Sequence, residues 1–161
     1  MWREHATETA RVLSEIDPDF IRVRTLKVLK IMPLHKRIET DELQIMTDDE
    51  IIAEERLLIE NLNGIHSHFA SDHILNLLQE LDGDFPEAKE KMLAVIDRYL
   101  ALDLPERENF RLGRRAGFYS FLDDLNNTEL RARVDQIRKR IENERPGQFE
   151  QVIADLMESF I

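Results

Sequence analysis

Phe20-Ile21-Arg22-Val23-Arg24-Thr25-Leu26, then Thr47-Asp48-Asp49-Glu50, then Ile65-His66-Ser67-His68-Phe69-Ala70-Ser71: these three stretches decide how the chain folds. The first is rich in β-branched residues and alternates Ile21, Val23 and Thr25 with Arg22 and Arg24, which is the period of two of a strand with both arginines on one face. The second has the Thr-x-x-Glu form of a capping box, with acids at the positive end of a helix dipole, and leads into Ile51, Ile52, Leu58, Ile59 and Leu62. Asn63-Gly64 ends that helix, and the third stretch reads as a second strand. Strand, helix and strand make a βαβ unit. Parallel strands are normally buried on both faces among neighbouring strands, so the pattern reads as a piece of a larger sheet.

Outward from this unit the chain is helical. Trp2, Ala6, Ala10, Leu13 and Ile16 predict an amphipathic helix over residues 2–16, stopped by Pro18, and residues 27–46 read as a long loop with a short helical possibility at 34–39. Beyond residue 70 the leucine-rich stretch 73–81 predicts a helix, Pro86 and Pro105 each open another, and Leu130, Val134, Ile137 and Ile141 form a stripe on a fourth. The last helix, with Phe149, Val152, Ile153, Leu156, Met157 and Phe160 on one face, is expected to pack on that stripe as a hairpin or to form a dimer seam. The fold class is therefore mainly α, with a βαβ part at the N-terminal side and a bundle-like region after it. The expected boundary divides residues 1–70 from 71–161.

The chain has 161 residues, enough for a substantial core, and no cysteine. It therefore has no disulfide framework, no thiolate zinc site and no Cys nucleophile. Lys and Arg total 22 against 33 Asp and Glu, a net charge of −11, and the region from residue 47 onward alone carries 14 basic and 25 acidic residues. An acidic balance of this kind argues against a nonspecific grip on nucleic acid or on anionic lipid. No stretch has the apolar length of a bilayer span, and the charged opening Trp2-Arg3-Glu4-His5 is unlike a signal peptide, so a cytoplasmic location is expected.

Trp2-Arg3-Glu4-His5-Ala6 and Glu8-Thr9-Ala10-Arg11-Val12-Leu13, the run from Ile16-Asp17-Pro18 through Arg24-Thr25-Leu26, the capping box at Thr47, and Ser71-Asp72-His73-Ile74-Leu75-Asn76-Leu77-Leu78 together resemble the late barrel and following extension of a family of radical S-adenosylmethionine proteins. The resemblance spans residues 1 to about 127 of 161. It implies that the βαβ part is the remnant of a (β/α) barrel, and that the parent enzyme uses S-adenosylmethionine and a [4Fe–4S] cluster held by three cysteines upstream of this segment. This chain has no such cysteine, so no cluster ligand carries over, no cofactor is expected in the chain itself, and alone it should be inactive. Its principal partner would be the N-terminal barrel, with Met1 starting inside a longer protein; pairing with a second copy through the unpaired strands or terminal helices is also expected. Where the family carries Pro-Gly-Thr-Pro-Leu after the strand, this chain has Lys30-Ile31-Met32-Pro33-Leu34. The alternative is a free-standing acidic helical module that binds another protein.

The candidate substrate or cofactor residues are Arg22, Arg24, Asp72 and His73. Two guanidinium forks at the C-terminal end of a barrel strand would clamp a carboxylate or phosphate; on an isolated strand they would face water or pair with Asp17 and Asp19. Ser71-Asp72-His73 cannot form a hydrolytic triad from adjacent positions, and reads as the N-cap of the helix expected at 73–81. His66 and His68, two apart on a strand, with His73 following, give an alternative metal reading, although histidines near strand ends more often make ordinary hydrogen bonds. Arg107, Arg111, Arg114 and Arg115 form a basic stripe at helical spacing, read as a solvated face balanced by Glu106, Glu108, Asp123 and Asp124.

Overall fold

The computed structural model describes residues 2–160. The amphipathic helix α1, Trp2–Ile16, buries Ala6 and Ala10, two small residues that let helix α3, Asp48–Asn61, approach closely. Asp17 closes α1 in the left-handed region at φ 45°, a conformation its short side chain tolerates, and then accepts hydrogen bonds from both the backbone and the ring of His66. That contact fastens the approach to one strand to the approach to the next.

Strand β1, Phe20–Arg22, runs parallel to β2, His68–Ala70, in the register Phe20 to His68, Ile21 to Phe69 and Arg22 to Ala70. The crossover between them contains the short helix α2, His35–Glu39, and α3, whose start is the predicted one. Thr47 Oγ1 accepts from the Glu50 amide, and Glu50 Oε2 accepts from the Thr47 amide at 2.8 Å, so each satisfies a donor that the helix end would leave free. Both strands are shorter than the alternation predicts. After Arg22 only the Val23 amide still reaches β2, and the Thr25 amide turns instead to the side chain of Asn76.

The helix expected over residues 73–81 does not form. Leu75, Leu77, Leu78 and Leu81 are all buried, which is what the leucine run demands, but they are buried from an irregular segment. Asn76, itself buried, accepts from the Thr25 amide and donates to the Val23 carbonyl and the Ser71 hydroxyl, while Arg115 and Arg114 take the carbonyls of Leu75 and Asn76. Side chains thus claim the backbone groups a helix would have paired internally. The segment delivers a third strand, β3, Asp82–Asp84, antiparallel to β2, so the sheet order is β1-β2-β3.

The rest is helical: α4, Lys89–Leu100; α5, Leu104–Arg115, capped by Asp103; a 3-10 turn at Leu122–Asn126; α6, Thr128–Glu144, capped by Asn127; and α7, Phe149–Glu158. The predicted start at Pro86 moves to Lys89. Both α6 and α7 pack against α5, in place of the direct hairpin that their apolar stripes predict. One buried apolar cluster runs from Ala6 to Met157 and takes in Ile21 and Phe69 of the sheet, Ile52 and Ile59 of α3, Ile96 of α4, Phe110 of α5 and Val134 of α6. The fold is mainly helical around a small sheet, and no helix among the described residues is long and apolar enough to cross a membrane.

Candidate functional site

Side chains alternate across a sheet, and here the two faces differ in kind. Ile21 and Phe69 point into the core, whereas their neighbours Phe20, Arg22 and His68 stand on the opposite face. Phe20 is 53% exposed and stacks on the His68 ring at 5.1 Å. His68 Nδ1 lies 2.7 Å from Asp84 and Nε2 lies 3.4 Å from Asp82, both from β3. Its hydrogen bond to Asp84, then the field of Asp82, holds the imidazole pKa above its usual value.

At the C-terminal end of the parallel pair, Arg22 and Asp72 form a two-pronged fork: Nε donates to Oδ1 at 2.6 Å and Nη2 to Oδ2 at 2.7 Å. Asp72 is thereby held below the ordinary carboxylate range, first by the hydrogen bond from Arg22 and then by the field of Arg22, with a smaller contribution from Arg24. The structure therefore brings Arg22 and Asp72 together, while Arg24 lies just past the end of β1. Arg22 pairs with Asp72, not with Asp17 or Asp19. Arg24 is exposed and makes no hydrogen bond or ion pair among the described residues.

His73 is not part of that cluster's hydrogen bonding; its Nδ1 accepts from the Leu75 amide at 3.3 Å, and its carbonyl accepts from Gln79. Ser71 and Asp72 cap no helix, because none follows; Ser71 is buried and accepts from Asn76 instead. The histidines each have their own partners, His66 on Asp17 and His68 on Asp82 and Asp84, and no group of three or more metal-ligating side chains converges among the described residues. With no cysteine in the chain, it supplies no thiolate for an iron–sulfur cluster.

The basic stripe of α5 is the larger correction. Arg111, Arg114 and Arg115 are buried, not solvated. Asp48 at the first turn of α3 accepts from Arg115 Nη2 at 2.5 Å and from Arg111 Nε at 3.3 Å, and Asp49 accepts from Arg107 at 3.0 Å and from the Tyr99 hydroxyl. Arg111 turns its other edge to Glu150 of α7, donating from Nη1 and Nη2 at 2.7 and 2.6 Å. Burial works against the charge of Arg111, and the bonds to Glu150 with the field of Asp48 outweigh it, so its pKa is raised. For Arg114 burial and the neighbouring Arg115 dominate, and its pKa is lowered. Sequence spacing revealed the stripe but not its partners, which lie far away along the chain on α3 and α7.

No protein-family model, curated protein or solved structure matches this chain. The charged groups thus fall into two clusters: the Arg22–Asp72 fork at the strand end, and a buried ion network that clamps three helices.

Proposed function

We propose that the chain is the closing βαβ segment and helical C-terminal part of a radical S-adenosylmethionine-type barrel enzyme, that it is itself non-catalytic, and that it completes the barrel wall and presents Arg22 and Arg24 toward the substrate pocket. The observation that carries the reading is the lopsided parallel pair. One face of β1 and β2 is packed into the helical core, the other carries exposed Phe20 and Arg22 on β1 beside half-buried His68 and buried Ala70 on β2, and among the described residues no strand lies on the outer side of β1. Parallel sheets are ordinarily covered on both faces, and in a (β/α) barrel the face away from the helices lines the interior, with ligand-binding residues at the C-terminal strand ends. Arg22 and Arg24 stand at that end. The resemblance in the Arg-Val-Arg-Thr-Leu run supports the same assignment.

The test is to isolate the native polypeptide from its source cells with an antibody against residues 80–161 and to sequence its peptides by mass spectrometry. A product well above 19.0 kDa that contains a Cys-x3-Cys-x2-Cys segment is expected. A native product of 19.0 kDa would overturn the reading in favour of a self-contained helical interaction module, which the single core from Ala6 to Met157 would then explain.

A further inference from the structure

Beside the α5 network lies a cleft of about 180 Å³, walled by the segment after β1, the start of α3, and α7. Its walls are mainly apolar, from Leu26, Ile45, Ile51, Ile153 and Met157, and two of these, Leu26 at 60% and Ile45 at 48%, are large side chains left exposed at the rim. Its charged lining consists of two cations and two carboxylates. Lys27, whose side chain is 14% exposed, donates from Nζ to the Ala154 carbonyl at 3.0 Å and lies only 3.6 Å from Glu158. Arg111, whose side chain is 3% exposed, is fixed from behind by Asp48 and presents the edge carrying Nη1 and Nη2 to Glu150.

Glu150 is unlike the other members of that network. Its side chain is 57% exposed, whereas Asp48 is 4% exposed. It sits on the first turn of α7 and reaches the buried arginine from the solvent side. A carboxylate that approaches a rigid, buried guanidinium from solvent with two-pronged geometry occupies the position that a carboxylate ligand would take; being half hydrated already, it can turn into water when another carboxylate takes its place on Arg111.

We propose that this cleft is a binding site for a small aliphatic monocarboxylate, whose carboxylate displaces Glu150 from Arg111 and whose alkyl chain covers Leu26, Ile45, Ile51 and Met157. The cleft is smaller than the sites of drug-sized ligands, which restricts the occupant to a short chain. The apolar walls exclude a free phosphate or a polyanion, because its charged oxygens would lose water against Leu26 and Ile45 without gaining hydrogen bonds there. Arg111 offers only N–H donors, so an alkylammonium, which likewise offers only donors, cannot take the place of Glu150 on it. The inference does not depend on the barrel reading, since every residue it uses lies within this chain.

The experiment is calorimetric titration of the full chain with sodium butyrate and sodium hexanoate, against sodium chloride and butylamine hydrochloride at matched ionic strength, for wild type, Glu150→Ala and Ile45→Asp. Saturable binding of a carboxylate is expected, tighter in Glu150→Ala by about tenfold or more, the worth of one charge-assisted bond no longer competed for. Binding should be lost in Ile45→Asp, a rim substitution that leaves the core untouched. Absence of binding in both wild type and Glu150→Ala would overturn the proposal, as would affinity unchanged by Glu150→Ala or equal response to butylamine. Circular dichroism on each variant establishes that it is folded, and a Glu150→Gln variant, which keeps the side-chain volume and removes the competing charge, should also bind more tightly than wild type.

Discussion

Removing the carboxylate of Asp48 is the sharpest test of the buried network. Asp48 is the common acceptor of Arg115 and Arg111, and the three side chains are 4%, 1% and 3% exposed. In Asp48→Ala, Arg111 retains Glu150, but Arg115 retains only the Leu75 carbonyl at 2.9 Å as partner for a full charge out of contact with water. Breaking a buried pair by deleting one partner costs about 3–5 kcal/mol, because the desolvation of the survivor is no longer compensated. A solvated stripe would cost about 0–1 kcal/mol for the same change. The two accounts differ enough for urea denaturation followed by circular dichroism to separate them. The midpoint should fall steeply with little change in slope, and the deficit should persist at about 1 M salt, where exposed pairs are screened. A loss below about 1 kcal/mol, or one abolished by salt, would refute the burial of the arginines and with it the clamp that joins α3, α5 and α7.

Gly113→Ala should destabilise although it lies inside a helix, where the same change normally gains about 0.5–1 kcal/mol, because a Cβ there would stand 2.2 Å from the Tyr119 ring; a variant as stable as wild type in thermal melts would contradict this packing. Thr47→Ala should cost about 1 kcal/mol by removing half of the capping box of α3, and Thr47→Ser should recover most of it. Glu55 is buried with Oε2 lacking a partner, and burial, then the fields of Glu54 and Asp48, pushes its pKa up to about 8. Because the folded state holds this proton more tightly than the unfolded one, stability should fall as pH rises from about 4.5 to 8, by no more than about 5 kcal/mol, and Glu55→Gln should flatten that slope; equal slopes in the two proteins would count against it. His68 titrates above its usual value through Asp84, so its contribution is complete in acid below about pH 6.5 and fades as pH rises through the folded pKa, which an NMR titration of the ring in wild type and Asp84→Asn would register as a downward shift in the variant.

Those parts of the fold whose signals are local were legible in the sequence. The three- and four-residue steps of α1, the Thr47 capping box and the two alternating runs each state their own conformation within a few residues, and each element forms. What escaped was set by distant contacts. Asp82-Gly83-Asp84 has the composition of a turn, and becomes a strand because β2 offers it an edge and His68 gathers both carboxylates. The run Leu75 to Leu81 has helical apolar spacing, but Asn76 ties it to the chain after β1 and two arginines of α5 take its carbonyls. The sole local hint was a buried-type polar residue in the middle of leucines. At the candidate site, the residue types of Arg22, Arg24 and Asp72 were readable, but the fork between Arg22 and Asp72, fifty positions apart, was not.

The same long-range pairing explains why net charge misled. A stripe of arginines in a chain of net charge −11 invites the view that acids in the surrounding water-facing turns neutralise it. Neutralisation within a short Debye length suffices for exposed groups, but a buried guanidinium needs a hydrogen-bonded acceptor in contact. Five acceptors meet that requirement for Arg111 and Arg115 and their neighbours: Asp48 and Asp49 at the positive end of α3, Glu150 at the start of α7, and the Leu75 and Asn76 carbonyls left open by the failed helix at 73–81. The irregular segment and the buried arginines are therefore one solution, since a helix over 73–81 would have withdrawn the Leu75 carbonyl from Arg115. A substitution that favours helix there, such as Asn76→Ala, should accordingly destabilise the protein rather than stabilise it, by leaving the Thr25 amide and the Val23 carbonyl without their partner. An increase in thermal stability for Asn76→Ala would show that the two features are independent.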